Sequence, residues 1–287
     1  ERLGGDYLDN KGYLTGRKSC HSCPVACHRY VRSTSEKYGD VDDAGPELEA
    51  VMSLGAECGT TEIEAVLKAN QLCNDFGMDV VSAGHTISWA MEVYEKGILD
   101  KNKTDGLDLT FGNCSVELEL LHRIAHREGW FGSLLADGTK KASEIIGGES
   151  WKWAIQSKGL EQSACDTRVA KGYALAFALN PRGPDHLSSQ IIAEFGFGDE
   201  AKDLIKSITG DETLAAPNSL VKRAEIATWH ENLYAINDCT GICTFVSSLS
   251  FVVGFNYMAE LLTLAIGTGF DEKALMELGR RIITLER

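Results

Sequence analysis

Three cysteines lie close together near the start of the chain. Cys20, Cys23 and Cys27 occupy the stretch RKSCHSCPVACHRY, residues 17–30, with the spacing C-x2-C-x3-C. Thiolates are soft ligands that suit zinc or an iron–sulfur cluster. A zinc site usually shows a second C-x2-C or H-x3-H pair, and none follows here, although His21 and His28 flank the thiols. The spacing favours an iron–sulfur cluster over zinc, and ligation over three buried, unligated thiols.

A cubane cluster needs a fourth thiolate, which the loop itself does not contain. Six other cysteines are candidates: Cys58, Cys73, Cys114, Cys165, Cys239 and Cys243. Cys243 is attractive because it ends a short turn-like segment, DCTGIC. Spacing alone does not choose among the six.

Two six-residue segments resemble each other. NDFGMD (74–79) and DCTGIC (238–243) both read [DN]-x-x-G-[aliphatic or Met]-[DC], and each follows an amphipathic helix. Gly at the fourth position, Gly77 or Gly241, permits a left-handed helix end. We therefore predict the same kind of turn at both places. Taken alone, an Asp in such a segment is more typical of an Asx-turn or a helix cap.

Three further side chains have types that suit catalysis or anion binding. Arg182, in NPRGPDH, offers a guanidinium that suits a phosphate or a carbonyl, although a surface ion pair explains it as well. His186 follows four residues later, and a lone His is more often structural. Glu47 and Glu49, in GPELE, follow Pro46, where acidic residues are also favoured by the helix dipole.

Helical periodicity dominates the elements that must position these residues. Segments with apolar spacing of three and four end at Gly77, Gly97 and Gly129, and a later one begins near Pro217. Strand-like alternation is sparse. The sequence predicts a mainly α protein with its chemistry in the loops. We place one helical domain at 1–160, with the cysteine loop and the first turn, and a second at 161–287.

Composition limits the partners. The 287 residues have a formal net charge of −14, which argues against nucleic acid and anionic membrane surfaces. No run of 18 apolar residues predicts a membrane span. Nine cysteines without a signal peptide favour a reducing, cytoplasmic location. The chain starts with Glu1 and ends within a helical pattern, so we expect it to be cut from a longer protein.

Several motifs, in order along nearly the whole chain, resemble the tungsten-containing aldehyde:ferredoxin oxidoreductase family. The cysteine loop looks like the family's cluster loop, and the two six-residue turns look like its D-x-x-G-L-[DC] pterin-binding turns. Two longer stretches complete the resemblance: GPELEAVMSLGAECG and SKGLEQSACDTRVAKGYALAFALNPRGPDHL.

The resemblance implies the helical, C-terminal domains 2 and 3 of such an enzyme. Two pterins would hold tungsten, or molybdenum, and a nearby [4Fe–4S] cluster would pass electrons to ferredoxin or another carrier as a small aldehyde becomes an acid. We also expect a homodimer, and an isolated fragment that is inactive and lacks the pterin cofactor. The residues that match the family's functional positions are the cluster ligands Cys20, Cys23, Cys27 and Cys243; the cofactor-binding Asn74, Gly77, Asp79, Arg182, Asp238, Gly241 and Ile242; and the catalytic Glu47 and His186.

The turns depart from the family pattern, and the function has alternatives. Asn74 stands where the family usually has Asp, and Met78 and Ile242 replace Leu. Glu49 is the rival of Glu47 for the role of base. One alternative is a benzoyl-CoA reductase-type subunit that reduces an aromatic thioester. Another, of a different class, is a non-catalytic helical module that binds zinc.

Overall fold

A computed structural model describes residues 2–249 and 253–287. The chain divides into two compact units, Glu1–Ala164 and Cys165–Arg287, whereas the sequence placed the boundary after residue 160. The described residues are mainly helical, which confirms the predicted fold class. The α-helices are α1 (Gly5–Asn10), α2 (Leu48–Val51), α3 (Ile63–Phe76), α4 (Val80–Glu95), α5 (Cys114–His126), α6 (Gly129–Leu135), α7 (Gly138–Ile146), α8 (Lys171–Leu179), α9 (Gly198–Thr209), α10 (Arg223–Thr240), α11 (Phe255–Ile266) and α12 (Glu272–Glu286).

A small antiparallel sheet holds the cysteine loop. Strands β1 (Leu14–Lys18), β2 (His28–Ser33) and β3 (Val41–Ala44) are ordered β1-β2-β3, and the connection between β1 and β2 contains all three clustered thiols. A second pair, β4 (Gln156–Ser157) and β5 (Leu160–Glu161), is minimal. The first sheet packs through Val31 and Val41 on the buried face of α3.

The helices of the first unit surround a continuous apolar core. Ile87, Ala90 and Met91 of α4 lie in it, as the helical spacing predicts, together with Leu120 and Leu121 of α5. The predicted end of α5 at Gly129 is wrong. Arg127 takes the left-handed conformation and ends α5, while Gly129 is the first residue of α6.

The second unit is built around α8, α9, α10 and α12. Its longest helix, α10, begins at Arg223 rather than near Pro217. Two buried charges fix the start of α8. The carboxylate of Glu194 accepts hydrogen bonds from the backbone of Gly172 (2.8 Å) and Tyr173 (3.2 Å). The Arg223 guanidinium lies 3.8 Å from the same carboxylate. This pairing positions the helix that leads into Arg182 and His186.

Within the described ranges, no helix combines the length and the apolar character needed to cross a membrane.

Candidate functional site

The three clustered thiols lie in a loop whose backbone is bent at two positions. Ser22 (φ 58°) and Ala26 (φ 49°) both adopt left-handed conformations, each directly before a cysteine. Such conformations are uncommon for residues other than glycine and concentrate at functional sites. The backbone N–H of Cys23 donates to the carbonyl of Cys20 over 3.1 Å and tightens the first turn. The loop thus presents Cys20 and Cys27 exposed and Cys23 half-buried.

Burial separates the six candidates for a fourth thiolate into two groups. Cys58, Cys73 and Cys114 are buried in the first unit. Burial raises the pKa of Cys58 well above its usual value and that of Cys73 to about 12. A metal ligand must be a thiolate, so these two thiols are poorly suited to the role. Cys165 is half-buried, and Cys239 and Cys243 are exposed.

The spacing of the sulfur atoms bears on the choice between zinc and a cluster. Among the residues described, the one group of three or more potential ligand atoms within 4.8 Å of one another is His122, His126 and Glu128, on the surface of the first unit. The loop thiols are therefore spread more widely. Thiolates on a single zinc ion would be about 3.8 Å apart, given Zn–S bonds of about 2.3 Å. A single zinc ion would therefore require the loop to draw its thiols together.

The two six-residue segments form the same turn, as predicted. Gly77 (φ 67°) ends α3 and Gly241 (φ 69°) ends α10, both in the left-handed conformation. The next residue in each case, Met78 or Ile242, donates its backbone N–H to a carbonyl five residues earlier, over 2.9 and 3.0 Å. This pattern is a Schellman motif, in which the residue after Gly packs back on the helix. It explains why both segments place an apolar residue there.

The polar residues of the first turn have local partners. The Asn74 amide donates to the Asp43 carboxylate over 2.8 Å. Asp79 caps α4, because one carboxylate oxygen accepts from the backbone N–H of Ser82 over 2.8 Å. The helix-cap interpretation of Asp79 therefore holds for one oxygen, while the exposed side chain retains a second. Asn74, Gly77 and Asp79 are all exposed.

Glu47 and Glu49 differ in their surroundings. Glu47 precedes α2, and its side chain is 53% exposed with one oxygen 3.9 Å from Nδ1 of His28. Glu49 is half-buried, and its carboxylate accepts from the backbone N–H of Ala164 over 2.9 Å. Glu49 is thus held in a structural hydrogen bond, whereas the Glu47 carboxylate stays accessible to solvent.

In the second unit, Asp185 organises the segment with Arg182 and His186. Its carboxylate accepts from the Arg182 guanidinium over 2.8 Å and from the backbone of Leu187 over 2.9 Å. His186 lies close by, with Nδ1 4.0 Å from the same carboxylate. Sequence reasoning missed Asp185, although it lies within the quoted NPRGPDH stretch.

Asp238 of the second turn lies near this segment. The short helical turn His186–Ser188 packs on α10, which ends beside Asp238. Partial burial, and then the charge of Asp185, raise the pKa of Asp238 above its usual value. The second unit therefore brings together Arg182, His186 and the second turn, around two neighbouring carboxylates.

The predicted site residues fall into two groups, one in each unit. The cysteine loop, Glu47 and the first turn belong to Glu1–Ala164, and Arg182, His186 and the second turn with Cys243 belong to Cys165–Arg287. A cleft shared by both turns, a cluster completed by Cys243, and a Glu47–His186 pair each join residues of the two units. These three remain predictions.

Residues 1–287 match the sequence model of a family described as aldehyde ferredoxin oxidoreductase, domains 2 and 3. The chain belongs to this family. Its curated relatives include the tungsten-containing aldehyde ferredoxin oxidoreductases of Pyrococcus furiosus, 32% identical over 96% of this chain and 42% of the relative, and of Pyrococcus abyssi, 30% identical over the same shares. A WOR-like subunit of the P. furiosus aliphatic sulfonate oxidoreductase is 28% identical over 98% of this chain and 40% of the relative.

This oxidoreductase-family chain thus spans about two fifths of the length of its curated relatives. A solved structure supports the fold: the active-site complex BamBC of benzoyl coenzyme A reductase with 1,5-dienoyl-CoA. It superposes with a TM-score of 0.75 at 20% identity, over 96% of this chain and 44% of that one. At this identity the likeness shows the fold alone.

Proposed function

We propose that this chain is the helical part of a tungsten–pterin oxidoreductase that converts aldehydes to carboxylic acids and passes the electrons through a [4Fe–4S] cluster to ferredoxin or a similar carrier. The proposal rests on family membership over residues 1–287 and on the similarity to tungsten-containing aldehyde ferredoxin oxidoreductases. One geometric observation carries it: in the first unit, the cysteine loop, Glu47 and the first turn are linked by short contacts.

The links run through consecutive residues. Cys27 precedes His28, whose ring nitrogen lies 3.9 Å from the Glu47 carboxylate. Two residues separate Glu47 from the end of β3. The Asn74 amide contacts the last two residues of that strand, Asp43 at 2.8 Å and Ala44 at 3.5 Å. A cluster ligand, a candidate base and a candidate cofactor turn thereby share one small region, as an enzyme that couples substrate oxidation to electron transfer requires.

The residues present suit an iron–sulfur cluster. Cys20, Cys23 and Cys27 supply three thiols from one bent loop, two of them exposed and that of Cys23 half-buried. Cys243 is an exposed thiol at the end of the second turn, whereas Cys58, Cys73 and Cys114 are buried in the core of the first unit. We assign the fourth ligand to Cys243.

The two turns suit a pterin. Asp79 keeps one carboxylate oxygen beyond its cap, and Asp238 faces the like charge of Asp185. The N–H edge of an aminopyrimidine would bind these carboxylates and relieve that repulsion. Arg182 would contact a phosphate or carbonyl of the cofactor. When bound, the tungsten–pterin group supplies the two-electron oxidation of the aldehyde.

The chain's own side chains handle the protons. Glu47 accepts a proton from the water or hydrate whose oxygen becomes the second oxygen of the acid. Its carboxylate is exposed and lies 3.9 Å from the His28 ring nitrogen, so it stays accessible for that role. His186, oriented beside Asp185, donates a hydrogen bond to the aldehyde oxygen. Domains 1–160 and 161–287 of the sequence prediction each contribute one of these two residues.

A benzoyl-CoA reductase-type subunit is the second candidate, favoured by the fold similarity to BamBC. We rank it lower because relatives with aldehyde ferredoxin oxidoreductase names are closer in sequence, at 30–32% identity. The non-catalytic zinc module ranks last, because the family and the curated relatives that this chain matches are oxidoreductases.

The test is turnover in the full-length holoenzyme with a small aldehyde. Glu47→Gln should retain tungsten and iron but lower turnover by about 10²–10⁴, the range for a lost general base. Glu49→Gln is the matched control, because its amide oxygen can still accept from Ala164. Full activity in Glu47→Gln with loss in Glu49→Gln would move the role to Glu49. Reduction of an aromatic thioester without aldehyde oxidation would instead support the second candidate.

A further inference from the structure

The hairpin that carries the clustered thiols is basic, although the chain as a whole is strongly acidic. Residues 10–35 contain five of the 28 Lys and Arg residues, namely Lys11, Arg17, Lys18, Arg29 and Arg32, and none of the 42 Asp and Glu residues. The chain as a whole has a net charge of −14, whereas this stretch carries a positive net charge. It coincides with β1, the cysteine loop and β2.

Two of these cations lie directly opposite each other. Arg17 of β1 and Arg29 of β2 are cross-strand partners in the antiparallel register, and both are exposed. Like charges at such positions repel each other and destabilise the pair of strands. Arg32 has a carboxylate partner in Asp42 at 3.1 Å, but within residues 2–249 and 253–287 neither Arg17 nor Arg29 forms an ion pair. Arg17 and Arg29 are therefore two positive charges of the hairpin without a carboxylate partner among the described residues.

The rest of the hairpin has the composition of a protein-binding surface. Lys18 is held over the ring of Tyr30, with Nζ 3.6 Å from the ring centroid, and is also exposed. At the tip of the loop, Pro24 is exposed and the side chain of Val25 is 39% exposed, between Cys23 and Cys27. A small apolar centre with a charged rim is typical of protein interfaces.

We infer that the β1–β2 hairpin is the docking surface for an acidic electron-transfer protein. This inference rests on the proposed function, since it assumes that Cys20, Cys23 and Cys27 hold the redox cluster that the partner must approach. Carboxylates on the partner would neutralise Arg17 and Arg29, and the apolar tip would contact its surface beside its own redox centre. Complementary charge accelerates encounter and orients the partner, and its effect falls with ionic strength.

The first test measures binding rather than turnover. The full-length protein is titrated with a purified acidic [4Fe–4S] ferredoxin by calorimetry at low and at high salt. We expect Arg17→Glu/Arg29→Glu to weaken binding at least 10-fold at low salt and to abolish most of the salt dependence. Lys140→Glu is the control, a single charge reversal at an exposed position of α7 in the same unit, to be compared with each single arginine variant and with the pair.

Unchanged ferredoxin affinity in the double variant, or an equal loss in Lys140→Glu, would overturn the docking assignment. So would equally tight binding of poly-L-glutamate, since the surface would then be a general polyanion site. The second test compares ferredoxin-linked with benzyl-viologen-linked aldehyde oxidation. The double variant should raise the KM for ferredoxin about 10-fold with the dye-linked rate unchanged. Absence of dye-linked oxidation in the unaltered enzyme would refute the proposed function, while the binding result would still decide the docking surface.

Discussion

Asn74 donates its amide hydrogen to the carboxylate of Asp43 over 2.8 Å, and so ties the first turn to the end of β3. Relatives of this chain, by the resemblance drawn from sequence, usually have Asp at this position. An Asp here would face Asp43 with like charge and without a donor. We therefore expect Asn74→Asp to lower the free energy of unfolding by about 1 kcal/mol at pH 7, measured by urea denaturation.

The swapped pair Asp43→Asn/Asn74→Asp is the control, because it restores one donor and one acceptor. The swapped pair should recover most of the lost free energy of unfolding. The stability lost in Asn74→Asp alone should become smaller at acidic pH, because protonation of one carboxylate removes the repulsion. A single variant as stable as the unaltered chain at pH 7 would mean that this hydrogen bond does not hold the turn.

Burial of the Glu117 carboxyl group should make the free energy of unfolding depend on pH. It is 1% exposed in α5 and accepts from the Thr60 hydroxyl over 2.6 Å, and burial raises its pKa from 4.5 to about 8. Between these values the unfolded chain releases the proton and the folded chain keeps it, so Glu117 makes stability fall as pH rises. The loss is complete above about pH 8 and amounts to at most about 5 kcal/mol.

Glu117→Gln removes this titration. Relative to the unaltered chain, the variant should gain stability steadily from pH 5 to 8 in thermal unfolding followed by circular dichroism. Glu144→Gln, at an exposed position of α7, should show no such trend. A stability difference between Glu117→Gln and the unaltered chain that is flat across this pH range would show that Glu117 ionises normally in the folded protein.

The apolar spacing predicted α3, α4 and α5, but it placed the end of α5 at Gly129 instead of Arg127. The two Schellman turns followed from a shared pattern of types, because only a left-handed residue and an apolar follower complete that motif. The buried Glu117 was missed, since a carboxyl group inside an apolar stripe gives no periodic signal.

The sheet around the cysteine loop was also missed. Arg17, Lys18 and Arg29 occupy exposed strand positions, so β1 and β2 lack the apolar alternation by which strands are recognised. Distant partners were beyond sequence reasoning for a different reason. The contacts of Asn74 with Asp43, and of Glu49 with Ala164, depend on how separate elements pack, and no local spacing encodes them.

The buried pair Glu194–Arg223 should dominate the stability of the second unit. Glu194 is fully buried and holds the first N–H groups of α8, while Arg223 is 4% exposed. Glu194→Ala should cost roughly 3–5 kcal/mol, because it leaves a buried charge and two backbone donors without a carboxylate. Arg223→Met should cost less, since its removal leaves Glu194 with both backbone donors.

A double-mutant cycle measures the interaction between these two residues. The double variant should be more stable than the sum of the single effects implies, by more than about 1 kcal/mol in guanidinium denaturation. Strict additivity would indicate that Arg223 acts through its bonds to the carbonyls of Leu214, Ala216 and Ser219 rather than through Glu194.

We propose above that Cys20, Cys23, Cys27 and Cys243 hold one [4Fe–4S] cluster. Anaerobic reconstitution of the full-length protein, with iron analysis and electron paramagnetic resonance of the reduced state, tests it most directly. We expect about four irons per chain for this cluster, with clear loss of cluster iron and an altered signal in Cys243→Ser. Cys239→Ser, an exposed thiol four residues earlier, and Cys114→Ser, a buried one, should keep both the iron and the signal. Equal loss in Cys239→Ser and Cys243→Ser, or zinc bound in place of iron, would contradict it.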